Sequence, residues 1–280
     1  MKQRRFKKCK LSVNINKIAT LRNSRGGDVP NVLQCAQDLI SFGAEGITIH
    51  PRPDGRHIRS DDVYALAKLL RTLNKRRRPP SNFKVKSNLK SRANSKLKIE
   101  FNIEGYPNKE YFQFLKDTRP DQATLVPDPP HVLTSNAGWR LAKNEEFLHK
   151  VLPRIHDLGV RSSLFVDPAN FTLAEADALA RLKPHRIELY TENYARVFSH
   201  RSKSPALAKV VAQYAHVAQI ADALGIEVNA GHDLTSENVG FLLKEIPQII
   251  ECSIGHALIA ESLYLGFKQT LAKYKKAMNV

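Results

Sequence analysis

Four side chains able to move protons stand at comparable places along the 280-residue chain: His50, Glu100, Glu188 and His232. Each lies in or just beyond the second half of a segment that reads as a β-strand, and each belongs to a different segment. A carboxylate in a strand buried on both faces needs a partner or a function to offset its desolvation, so Glu100 in KIEFN and Glu188 in RIELYT draw attention. A structural ion pair with a nearby arginine would satisfy the same demand. His57 and His256 join His50 and His232 near strand ends, and imidazoles suit proton transfer at neutral pH. No HExxH, CxxC or HxH spacing occurs, so no metal site is expected. Small residues in Asn229-Ala230-Gly231-His232 and Ile254-Gly255-His256-Ala257 would let backbone N–H groups approach a phosphate. The loop with Arg22, Arg25, Gly26 and Gly27 offers a guanidinium for the same purpose, or is simply a solvated turn.

The elements that must position these groups recur eight times. Segments 11–16, 46–50, 98–102, 123–127, 161–166, 186–191, 227–231 and 251–256 are rich in β-branched or apolar residues, and each precedes a helical pattern. Such alternation implies parallel strands with crossover helices. Helix starts are marked by Pro30-Asn31, by Ser60, by Thr172 with Glu175 as a capping box, and by Ser204-Pro205. Eight repeats without a G-x-G-x-x-G turn favour an α/β chain closed as a (β/α)8 TIM barrel over an open doubly wound sheet. Pro153 should kink or interrupt the helix expected at 143–158. Residues 75–97, with Pro-Pro and little apolar periodicity, read as a flexible basic insertion between helix 2 and strand 3.

Composition bounds the rest. With 42% apolar residues, residues 1–280 suffice for a single domain. Cys9, Cys35 and Cys252 are too scattered for a disulfide framework, and no apolar run approaches the roughly 20 residues that span a bilayer. A cytoplasmic protein without a membrane role is expected. The net charge of +17 is segregated: residues 1–10 hold six Lys or Arg and residues 75–98 hold ten, with no acidic residue in either. That pattern suggests basic segments appended to a nearly neutral domain, with no motif for specific nucleic-acid recognition.

Several blocks together resemble the pyridoxine 5'-phosphate synthase family over almost the whole chain: VNINKIATLRNSRGG (13–27), GITIHPRPDGRHI (46–58), IEFNIEG (99–105), TLVPDPP with Thr134, SLFVDP (163–168), IELYTENYA (187–195), LGIEVNAGHDLT (224–235) and IGHALI (254–259). The resemblance implies a TIM barrel that assembles into homo-octamers. It further implies condensation of two small phosphorylated substrates, 1-deoxy-D-xylulose 5-phosphate and 3-amino-2-oxopropyl phosphate, without a cofactor. By resemblance, His50 and Glu100 are proton acceptors, His232 a proton donor, and Glu188 a stabiliser of the transition state. Asn14, Arg25, Gly255 and His256 would hold the aminoketone phosphate; Arg52, His57 and Thr134, helped by Asn16 and Lys17, the deoxyxylulose phosphate. Asp233 falls among the substrate contacts. Departures from the common pattern are Asn16-Lys17 for Asp-His, Asp233 for Gly, and Tyr190 for His. Two other classes compete: another phosphate-binding barrel, such as an isomerase or aldolase, and a polyanion-binding protein driven by the basic segments.

Overall fold

Successive residues of a strand point to opposite faces, and in this chain most of the apolar ones face outward. A computed structural model describes residues 8–77, 98–127, 137–198 and 204–279. Its strands are β1 (Lys10–Asn14), β2 (Gly46–Ile49), β3 (Glu100–Gly105), β4 (Gln122–Leu125), β5 (Arg161–Val166), β6 (Arg186–Tyr190), β7 (Glu227–Gly231) and β8 (Ile249–Ile254). They pair in parallel in chain order, and β1 closes on β8. Helices α1 (Asn16–Asn23) and α2 (Val32–Ser41) follow β1, α3 (Ser60–Arg77) follows β2, α4 (Lys109–Thr118) follows β3 and α5 (Glu145–His156) follows β4. Next come α6 (Leu173–Leu182) after β5, α7 (Glu192–Val197) and α8 (Pro205–Ala223) after β6, and α9 (Val239–Glu245) after β7. After β8 the chain ends in α10 (His256–Leu265) and α11 (Phe267–Ala277).

The hydrophobic core therefore lies between barrel and helices. Leu11, Val13, Ile47, Ile49, Ile103, Leu125, Leu164, Ile187 and Leu189 are fully buried there with Leu39, Leu66, Leu115, Ile155 and Leu179 from the helices. Each such side chain contributes about 1.5–3 kcal/mol. Barrel interiors are commonly filled by branched apolar residues, but this one is polar. At the N-terminal floor, Lys10 and Arg161 bind Glu100, while Arg186 reaches Glu227 at 2.8 Å, Gln122 at 3.0 Å and Glu251 at 3.1 Å. Above them Ser12 meets Thr48 at 2.8 Å, and Thr124 donates to Asn102 at 3.0 Å.

Helix starts agree with the local signals. Asn31, Thr172 and Ser204 each accept a backbone N–H from three residues on, at Gln34, Glu175 and Leu207. The expected capping box is only half made, because the Glu175 carboxylate turns away to accept from Leu141 N–H. Pro153 does not break α5: it sits in the last turn, where the missing N–H removes one bond, and its carbonyl still accepts from Asp157 at 2.8 Å. Residues 75–77 of the expected insertion continue α3 instead, and 78–97 lie outside the described residues.

Strand 3 starts later than its sequence suggests, at Glu100 rather than Lys98, and runs on to Gly105. Glu100 is thus the first residue of β3, at the floor, and not in its second half. Its partners are the reason: three cations converge there, Lys10 and Arg161 in contact and Arg186 at 3.8 Å.

Candidate active site

Catalytic groups of such barrels gather where strands end, so the C-terminal rim is built from the last residues of the strands and the first residues of the loops beyond them. A ladder of asparagines organises its first side. Asn14, the last residue of β1, accepts from the Asn16 N–H at 3.0 Å, and Asn16 in turn accepts from the His50 N–H at 2.9 Å. These bonds fix the backbone where His50 leaves β2. Burial, with His57 and Arg52 close by, pushes the His50 pKa down to about 3, so its imidazole is neutral at neutral pH. Burial and Arg52 push His57 down to about 4. The two rings lie 6.1 Å apart. Arg52, close to both, is buried, its Nε 3.6 Å from the Asp54 carboxylate, while Lys17 is exposed at the start of α1.

Across the mouth, Glu188 of β6 is 3% exposed, and its Oε2 has no hydrogen-bond partner among the described residues. Gly231 of β7 makes room for it, since a Cβ there would lie 2.1 Å from Glu188 Oε1. Burial, then the charges of Glu104 and Glu251, lift the Glu188 pKa well above the usual carboxylate range, against the pull of Arg186. That shift favours the neutral carboxyl group, the form that can donate a hydrogen bond. His232 follows β7, its ring edge-on to Tyr190 at 4.9 Å and its Nδ1 2.9 Å from Asp233 Oδ2.

The anion-binding end lies after β8. Gly255 is the N-cap of α10, and a Cβ on it would come within 3.1 Å of Asn14 Cβ, so any larger residue would have to push Asn14 aside by a few tenths of an ångström. The unpaired N–H groups of the first turn of α10 suit a phosphate, with the exposed His256 beside them.

This set of residues belongs to a chain whose relatives are recognisable over nearly its whole length. The family described as pyridoxal phosphate biosynthesis protein PdxJ matches residues 11–280. The chain belongs to the PdxJ family. A pyridoxine 5'-phosphate synthase of Bacteroides fragilis (strain YCH46) is 46% identical over 269 residues, covering 96% of this chain and 99% of that protein. One of Cytophaga hutchinsonii is 43% identical, covering 96% and 98%. Among solved structures, a protein of Aquifex aeolicus VF5 shares the fold with a TM-score of 0.58 at 12% identity, covering 98% of this chain and 93% of that one. A mutant tryptophan synthase α-subunit of Pyrococcus furiosus does so with a TM-score of 0.55 at 12% identity, covering 98% and 99%.

Within this PdxJ-family barrel, the residues expected from sequence fall into three groups. His50, Arg52, His57, Glu188, His232, Asp233, Asn14, Asn16, Lys17, Gly255 and His256 lie at or next to the C-terminal rim. Glu100 lies at the opposite end, and Thr134 is outside the described residues. Of the two arginines expected in a loop, Arg22 lies instead in the last turn of α1 and is committed elsewhere, forking onto Asp62 at 2.5 and 2.8 Å, whereas Arg25 lies beyond the helix and is exposed. One group was missed. Glu104, in the second half of β3, accepts from Asn14 Nδ2 at 3.3 Å and raises the Glu188 pKa. The period-2 spacing Glu100, Asn102, Glu104 carried that signal, since all three share one face of the strand.

Proposed function

We propose that the chain condenses 1-deoxy-D-xylulose 5-phosphate with 3-amino-2-oxopropyl phosphate to give pyridoxine 5'-phosphate, inorganic phosphate and water. The observation that carries this is the match across residues 11–280, with relatives named for that synthesis at 43–46% identity over nearly the whole chain. The rim chemistry supports it. An amine adding to a ketone, followed by dehydrations, phosphate loss and ring closure, needs proton donors and acceptors in one mouth and no redox step.

In this proposal neutral His50 accepts a proton, His232 returns one to a leaving oxygen, and the un-ionised Glu188 donates a hydrogen bond to charge developing in the transition state. Gly255, His256, Asn14 and Arg25 hold the aminoketone phosphate. Arg52 and His57, with Thr134, Asn16 and Lys17, hold the deoxyxylulose phosphate. The Asn16 side-chain oxygen already serves the His50 N–H, so its share in binding is through the amide nitrogen. Glu100, the second acceptor by resemblance, lies at the floor in the grip of Lys10 and Arg161, and the turnover of Glu100→Gln tests whether it accepts a proton. We also propose a homo-octamer in the cytoplasm. Leu263, Tyr264 and Leu265, exposed at the end of α10, support a subunit contact, and light scattering of the pure protein measures its size. The deciding experiment is incubation of the pure protein with both phosphorylated substrates. Pyridoxine 5'-phosphate is the expected product, and phosphate release without it would overturn the assignment.

A further inference from the structure

His232 and Asp233 occupy consecutive left-handed backbone positions, with φ of +75° and +54°. Side chains other than glycine's are disfavoured there, at roughly 1–2 kcal/mol each, so something must hold the turn. Thr191 Oγ1 donates to the Gly231 carbonyl at 2.9 Å and also contacts that of His232, and Asn238 Nδ2 donates to the Asp233 carbonyl at 3.3 Å. This geometry turns the Asp233 carboxylate back onto the preceding ring, Oδ2 lying 2.9 Å from Nδ1.

The chemistry of the contact is set by what each atom can do. The hydrogen bond from His232 holds the Asp233 pKa below the usual range, so the carboxylate is ionised and accepts only. Nδ1 must then carry the proton. Tyr190 meets the ring edge-on at 4.9 Å, and its own hydroxyl is tied to Glu192, so it steadies the ring without taking either nitrogen. Nε2 is the nitrogen left for proton exchange. The other ionisable groups around the pair are His256 on α10, Glu188 behind Gly231 and Asp167 after β5.

We propose that Asp233 is a positioning residue for His232, holding the ring through Nδ1 so that Nε2 exchanges the proton with substrate. The kinetic part rests on the proposed synthase activity; the pairing itself does not. Its energetic weight is small for stability, because the two side chains are 31% and 41% exposed. Its effect is on tautomer and orientation, as for carboxylates that hold a catalytic or metal-bound histidine.

The test uses three proteins: the wild-type chain, Asp233→Asn and Asp233→Gly. Glycine adopts a φ of +54° without strain, so that variant folds. Ring 15N NMR of the ligand-free proteins, with His232→Gln to assign the signals, reads the tautomer directly. The wild type and Asp233→Asn, whose Oδ1 still accepts, are expected to show Nδ1–H; Asp233→Gly is expected to move to the Nε2–H form usual in water. In turnover, kcat is expected to fall about tenfold in Asp233→Gly and less in Asp233→Asn, with both KM values within about twofold. An unchanged tautomer in Asp233→Gly overturns the pairing even if the chain makes no pyridoxine 5'-phosphate. Unchanged kcat overturns the positioning role, and KM values that rise while kcat holds make Asp233 a binding residue instead.

Discussion

Replacing Glu100 by glutamine keeps the side chain's shape and removes its charge from the barrel floor. Burial alone would raise the Glu100 pKa, but Arg161 and Lys10 outweigh it and hold it at about 2 against an ordinary 4.5. At about 1.36 kcal/mol per pH unit, that difference stabilises the fold by about 3 kcal/mol at neutral pH. The side chain is only 14% exposed, so solvent screens little of this. Glu100→Gln leaves Lys10 and Arg161 without their shared anion and is expected to lose about 3 kcal/mol, the lower end of the roughly 3–5 kcal/mol lost when one partner of a buried ion pair is removed. The sign with pH is that of a depressed folded-state pKa. The stabilisation is complete above 4.5 and is lost as pH falls from 4.5 toward 2, so wild type and variant converge in that window. Urea denaturation at fixed protein concentration, at pH 7 and at about pH 3, measures the gap. Turnover, assayed where circular dichroism shows both proteins folded, is expected to fall about a hundredfold if Glu100 accepts a proton. A stability difference under about 1 kcal/mol at pH 7 refutes the floor argument, and full turnover in the folded variant removes Glu100 from the proton transfers.

Glu104→Gln removes a charge that raises the Glu188 pKa, so Glu188 should ionise at lower pH; if its neutral form is the working one, the alkaline loss of kcat moves to lower pH, and an unmoved limb counts against that role. Gly255→Val places a branched side chain where even a Cβ lies 3.1 Å from Asn14, and steady-state kinetics should show the KM for the aminoketone phosphate rising more than that for its partner. Equal rises would move the phosphate elsewhere. Prolonged chelation followed by buffer exchange should leave turnover unchanged, and activity restored only by an added divalent ion would require a metal.

The barrel was legible from sequence because its signals are local. Strand-like runs alternating with helix patterns and the caps at Asn31, Thr172 and Ser204 each depend on residues a few positions apart, and the strands formed within two or three residues of expectation. Rim positions of His50, Glu188, His232 and Gly255 came out of those boundaries. Which end of the barrel a residue occupies is less forgiving. A shift of two residues in the start of β3 moved Glu100 to the floor and left Glu104 near the mouth. Partners distant in sequence were out of reach as well: Arg22 binds Asp62, 40 residues on, and Arg186 finds Gln122 and Glu251 only across the closed sheet. Asp233 stood next to His232 in the sequence, yet its contact with the ring depends on two left-handed residues held by Thr191 and Asn238. Propensity and capping act between neighbours along the chain, whereas a buried charge takes the partner that barrel closure brings within hydrogen-bond distance.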